Sequence, residues 1–256
     1  MKVITIKTPN TIGCTLVSTI VLQKLRNQFK KTRLEVYTLY PDLFDGLKEV
    51  DIVKDLSKTK LENYDVDLGE YLQKKDPQNS RPFRHLERHL TEMTEKQLNI
   101  QLKSNYTDLP IKIHLTKPEL AKAKSIVKEL SQGKPLIWLQ TKTSERMKDW
   151  KSEYWQSLIK QGKRYSFVDL SEGKYTRRIS IAITKYCNAG ITLDTFLLHG
   201  SHAIGARNVI VILVSSHKEV VTYPEQTVLE QFKLKKEIIP QMVIKKLDML
   251  MDNSKE

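Results

Sequence analysis

Short apolar runs alternate with helically spaced apolar positions along this 256-residue chain, and the alternation begins twice. Val3 to Ile6 has the period of a strand. Leu16, Ile20, Leu25 and Phe29 recur at helical spacing, and Leu34 to Leu39 is rich in strand formers. That order predicts a βαβ beginning and a parallel sheet. Two short strands ending near Val53 and Leu68 follow, then a loop over 73–82, a helix over 83–99, and a helix from Pro118 to about Leu130.

Ser131-Gln132-Gly133-Lys134-Pro135 interrupts the pattern, and the rhythm then restarts. Strands are expected at 136–140, 165–170, 189–193 and 209–214, with helices at 152–161, 178–186 and 195–205 between them. The last strand is almost wholly apolar, as a fully buried parallel strand is. The fold class is therefore α/β, with two Rossmann-like domains, 1–131 and 132–256, facing a cleft. Over 239–251, Ile239, Met242, Val243, Leu247 and Leu250 fall on one helical face. This reads as a C-terminal packing helix; a membrane-surface helix is the alternative.

Composition narrows the class. Hydrophobic residues make up 39% and charged residues 29%, the balance of a globular chain. Lys and Arg number 43 against 30 acids, a net of +13, so the surface suits polyanions: nucleic acid, anionic lipid or phosphorylated small molecules. Residues 134–185 alone hold 12 basic and 5 acidic side chains, and no basic tail exists. A phosphate-facing surface within a folded domain accounts for this, as does a general coat of lysine. No basic motif interleaved with aromatics supports nucleic acid as a partner. Cys14 and Cys187 are too few for a disulfide scaffold, which points to a reducing compartment. The N-terminus reads as a strand rather than a signal peptide, and no apolar run approaches the ~20 residues of a membrane span. A cytoplasmic protein is expected, and its charge also suits peripheral association with an anionic membrane at the inner face.

Three segments carry candidate chemistry. Gly13, in Ile12-Gly13-Cys14-Thr15, lies between the first strand and helix, where a turn lets backbone N–H groups approach a ligand. It is not a G-x-G-x-x-G fingerprint. Gln140 to Trp150 joins a strand to a helix, the ligand-binding position of α/β sheets, with hydroxyls at Thr141, Thr143 and Ser144 and cations at Lys142, Arg146 and Lys148. That chemistry suits a diphosphate. Thr192 to Gly205 ends a strand at Asp194, begins a helix capped by Asp194 or Thr195, and places His199 one turn further on. Each segment also has an ordinary reading: a plain turn, a solvated loop, and a capped helix with an incidental histidine.

Taken in order, Gly13-Cys14, Lys148-Asp149-Trp150 and Asp194-Thr195-Phe196-Leu197-Leu198-His199 resemble the motifs of family 9 glycosyltransferases, the lipopolysaccharide heptosyltransferase-like group with the GT-B fold. The resemblance spans roughly 1–56 and 134–224 and is faint between. It implies metal-independent transfer of a sugar, heptose being a candidate, from a nucleotide-diphosphate donor to a glycan or lipid-linked acceptor, with no cofactor. By the same resemblance Lys148 neutralises the donor diphosphate, and Thr141 and Thr143 bond phosphate oxygens. Asp194 and Thr195 contact the nucleotide sugar, His199 supports the site, and Glu172 meets the ribose. Gly13 and Cys14 form a loop near the reaction centre.

Two departures bear on catalysis. The family's proposed base is an Asp where this chain has Cys14, and an ordinary thiol, with a pKa of about 8.5, is mostly protonated at pH 7. The residue after Asp194-Thr195 is Phe196 in place of glycine. A non-catalytic nucleotide- or sugar-binding relative of the same fold is therefore the alternative, and a nucleic-acid-binding protein a third. Asp42 and Asp45 are other candidate bases, read more simply as turn formers beside Pro41. His85 and His89 stand four apart on the expected helix, without the Glu placement or third ligand of a zinc motif. Arg81, Arg84 and Arg88 read as a solvated basic face or an acceptor contact.

Overall fold

The computed structural model describes residues 2–59, 61–69, 85–102, 109–171, 173–234 and 236–253. The chain divides into two compact units, Met1–His114 and Leu115–Glu256. Each has its own parallel sheet, in agreement with the expected α/β class. Among the described residues no helix is long and apolar enough to cross a membrane.

In the first unit β1 (Val3–Lys7), β2 (Arg33–Thr38), β3 (Ile52–Asp55) and β4 (Val66–Asp67) pair in the order β3-β2-β1-β4. Helix α1 (Ile12–Gln28) connects β1 to β2 and is buried along most of its length, from Thr15 to Leu25. Burying a whole helix buries its polar residues too, and each finds a partner. Thr15 donates to the Pro9 carbonyl at 2.8 Å, and Gln23 reaches the Pro110 carbonyl at 2.8 Å. Lys24 pairs with Glu87 of α2 (Leu86–Leu98). Satisfied in this way, the groups avoid the desolvation penalty of orphaned donors. His85 is the N-cap of α2, its Nδ1 accepting from Glu87 N–H at 3.3 Å, so it does not share a helical face with His89.

The second unit begins with α3 (Lys117–Ser131), a capping-box helix with Thr116 at its N-cap and Glu119 at the third position. The sequence rhythm assigns this helix to the first half, but it packs against α5 (Arg177–Tyr186). The Arg178 guanidinium grips Glu119 through two bonds, at 2.6 and 2.8 Å. The sheet runs β6-β5-β7-β8-β9, all parallel, from β5 (Leu136–Gln140), β6 (Ser166–Asp169), β7 (Ala189–Thr192), β8 (Val209–Leu213) and β9 (Thr227–Glu230). The remaining helices are α4 (Ser152–Gln161), α6 (Phe196–Ala203), α7 (Lys218–Val221), α8 (Gln231–Leu234) and α9 (Pro240–Asn253).

Strand alternation sorts the core into two faces. Ile137, Leu139, Ile191, Ile210, Ile212 and Leu229 share a cluster with Trp155 and Leu158 of α4 and Val243, Leu247 and Met251 of α9. Register places Trp138 beside Gly190, and a Cβ at position 190 would lie 1.9 Å from the indole. Glycine is required there because Trp138 occupies the space a side chain would need. The C-terminal helix packs as expected, with a shifted face. Pro240, Val243, Leu247 and Met251 are buried, whereas Ile239 precedes the helix and is 40% exposed.

Candidate functional site

In the second unit, numbered from its own first strand, the sheet order is 2-1-3-4-5. The strand order reverses between β5 and β7, and in open α/β sheets ligands gather outside the carboxyl ends of the strands at such a point. The segments after β5 and β7 are the two that sequence reading singled out. Lys148 follows β5, Asp194 follows β7, and the Lys148 ammonium stands 3.1 Å from Asp194 Oδ2.

Each residue of Lys148-Asp149-Trp150 has a distinct task. Trp150 is buried, donates its indole N–H to the Ile238 carbonyl at 2.7 Å, and packs edge-on to Trp155 at 4.9 Å. Asp149 Oδ1 accepts from both the backbone N–H and the hydroxyl of Thr143, each at 2.9 Å, and so folds the loop back on itself. Between these anchors Arg146–Lys148 forms a 3₁₀ turn that presents Lys148. Its ammonium also meets Glu145 Oε1 at 3.0 Å. Desolvation works against that charge, but Asp194 and Glu145 outweigh it and hold the Lys148 pKa above the ordinary lysine value. Asp194 in turn accepts from the Ser216 hydroxyl at 2.6 Å.

At the end of β6, the strand that flanks β5 on the side away from β7, Asp169 gathers hydroxyls. Thr141 donates to Asp169 Oδ2 at 2.5 Å, and Ser171 gives Oδ1 its hydroxyl at 2.5 Å and its N–H at 2.9 Å. Thr195 is the N-cap of α6, although its hydroxyl makes no capping bond and lies 3.3 Å from that of Thr192. His199 is 2% exposed, with Nδ1 2.7 Å from the Tyr223 hydroxyl. Tyr223 stacks flat on His202, at 3.6 Å, and His202 meets Glu225. His199 thus belongs to a packed aromatic cluster behind the first turns of α6.

Gly13 and Cys14 belong to the first unit, and here the sequence expectation is corrected. Both lie in the first turn of α1, not in a loop, because the helix starts at Ile12, directly after its N-cap Thr11. Cys14 is partly buried and Cys187 buried, and neither forms a disulfide. Burial pushes the Cys187 thiol up to about 12. Glu172, Arg81, Arg84 and the 73–82 loop lie outside the described residues. The structure adds Asp149, Asp169, Ser171, Ser216 and Tyr223 to the site. Of these, only Asp149 carried a sequence signal, its place inside the Lys-x-Trp motif.

No protein-family model matches the chain, and no curated protein matches it. Solved structures do. A glycosyl transferase family 9 structure from Veillonella parvula superposes with a TM-score of 0.72 at 14% identity, covering 98% of this chain and 97% of that one. The E. coli ADP-heptose lipopolysaccharide heptosyltransferase II superposes with a TM-score of 0.68 at 15% identity over 100% of both chains. E. coli heptosyltransferase WaaC with ADP-2-deoxy-2-fluoro heptose gives 0.58 at 14% identity, over 97% and 99%. With two parallel-sheet units and near-complete coverage, the chain has the GT-B-like fold of the heptosyltransferase structures among them.

Proposed function

We propose that the chain is a glycosyltransferase that holds a nucleotide-diphosphate sugar at the β5–β7 edge and passes the sugar to a glycan or lipid-linked acceptor. The observation that carries this reading is the Lys148–Asp194 pair at the switch point of the second sheet. Lys148 neutralises the diphosphate as it leaves, a fixed charge aimed where negative charge grows during transfer. Glu145, half exposed, is the partner that the diphosphate displaces, while Asp194 stays anchored by Ser216 and keeps the ammonium in place. The N-terminus of α6 adds its partial positive charge, and Thr141 turns its hydroxyl from Asp169 to donate to a phosphate oxygen. A cytoplasmic setting, with the basic surface against an anionic inner leaflet, fits a lipid-linked acceptor. The E. coli neighbour carrying ADP-2-deoxy-2-fluoro heptose makes ADP-heptose the first donor to try.

Calorimetric titration with a panel of nucleoside diphosphates tests the site. Lys148→Ala weakens binding by about 1.5–3 kcal/mol, the value of a hydrogen bond to a charged group. Equal affinity in wild type and variant removes Lys148 from the site. A second reading, a binding protein without transfer, is favoured by Cys14 at the family's base position. Donor turnover with candidate acceptors supports the enzyme, and saturable binding without turnover supports the binder.

A further inference from the structure

Glu230 closes β9 with 4% exposure, a carboxylate withdrawn from water at the end of a strand. Its Oε1 accepts the Lys218 N–H at 3.3 Å. Its Oε2 is sealed from solvent and accepts no hydrogen bond among the described residues, with the Lys233 ammonium 3.6 Å away. A buried carboxylate satisfied this incompletely is costly to keep. Two more ligand-type side chains face it. His217 Nδ1 is 3.7 Å from Glu230 Oε1, and one ligand atom from each of His217, Glu219 and Glu230 lies within 4.8 Å of the others.

These separations are too long for hydrogen bonding between the groups but close to what an ion needs. Ligands about 2.0–2.1 Å from a tetrahedral ion stand about 3.3 Å apart, so small side-chain shifts close the set. Lys233 already sits against two members, at 2.9 Å from Glu219 and 3.6 Å from Glu230. It brings one positive charge to two carboxylates, and its side chain is 53% exposed and able to withdraw.

We propose that His217, Glu219 and Glu230 bind a divalent first-row transition ion, with Lys233 balancing the carboxylates until the ion arrives. One imidazole and two carboxylates suit zinc, with water completing the coordination, and zinc binds more tightly than manganese. The bound ion ties the segment that carries His217 to the end of β9. Ser216, the next residue back, holds Asp194, so the ion braces one flank of the Lys148 site without touching its ligand.

The test is calorimetric titration of chelator-treated full-length protein with Zn²⁺, Mn²⁺ and Mg²⁺, alongside thermal melts. Wild type takes up one Zn²⁺ at this site, and Glu219→Gln and His217→Ala each weaken it by roughly tenfold or more. Glu219 is exposed, so its variant folds and the comparison stands even if His217→Ala misfolds. Lys233→Met strengthens binding by removing the competing cation, and His89→Ala leaves it unchanged. Zinc uptake at wild-type affinity in both ligand variants, or no uptake in wild type at millimolar Zn²⁺, overturns the proposal.

Discussion

Lys148 holds its charge at a position three-quarters withdrawn from solvent because two carboxylates reach it, one of them Asp194, which follows β7 and lies 46 residues further along the chain. Lys148 and Asp194 could be read from the sequence because each sits in a short motif just past a strand. Asp169, Ser171 and Ser216 could not. They join the site through the register of a parallel sheet, β5 on β6 and β7 on β8, and no spacing along the chain encodes that neighbourhood. Position 14 allows a sharper experiment. Cys14 is the third residue of α1 after the N-cap, and the first turn of that helix carries no acid. Cys14→Asp therefore stabilises the protein by about 0.3–1 kcal/mol through the helix dipole, read as a rise in melting temperature. Under the proposed function it also accelerates transfer by about 10²–10⁴-fold, the usual worth of general-base assistance, and Cys14→Ser does not. Wild-type transfer at the rate of both variants would leave position 14 without a chemical role.

Among elements, the long regular ones were legible and the short ones were not. Helices α3, α4, α5 and α9 announce themselves by capping residues or by apolar spacing over several turns, and β8 by five consecutive buried apolar residues. Strand β9 and the four-residue helices α7 and α8 have too few positions to show a period, and pairing with β8 is what defines β9. The clip between α3 and α5 is where an element-scale prediction can be made. The Arg178 bonds hold the Glu119 carboxyl down to about 2, against an ordinary value of 4.5. A carboxylate with a depressed folded pKa stabilises the fold above its unfolded value and loses that contribution as pH falls towards the folded one. Stability therefore declines between pH 4.5 and 2, and melts across that range show a shallower decline in Glu119→Gln. At neutral pH the same substitution costs about 2–4 kcal/mol, since it weakens the cap of α3 and removes the Glu119 charge from a buried guanidinium. Gly190→Ala tests the sheet itself: a methyl 1.9 Å from the Trp138 ring forces the strand pair apart and costs roughly 3 kcal/mol or more in chemical denaturation. A cost below 1 kcal/mol would mean that the indole has room to move.

For the molecule as a whole, the restart of the rhythm near residue 131 reveals two sheets, yet not which sheet α3 serves. A helix between two βαβ halves has an apolar stripe that fits either. Contact decides it: α3 lies on α5, the Glu119–Arg178 bonds clip the two together, and the compact unit begins at Leu115. This yields a comparison of two fragments. Residues 115–256 carry all five strands of the second sheet and helices α3 to α9, together with Lys148 and Asp194. A unit with its own core is able to fold alone, so this fragment melts cooperatively and retains the nucleoside-diphosphate affinity proposed for the full chain. Residues 132–256 lack α3. Their α5 exposes the face that α3 covers, and Arg178, now at 6% exposure, loses its two bonds to Glu119. That fragment melts without a cooperative transition and binds a dye specific for exposed apolar surface. Equal cooperativity in the two fragments would show that α3 contributes nothing essential to the second unit. Loss of cooperativity in both would show instead that the second sheet depends on the first unit to fold.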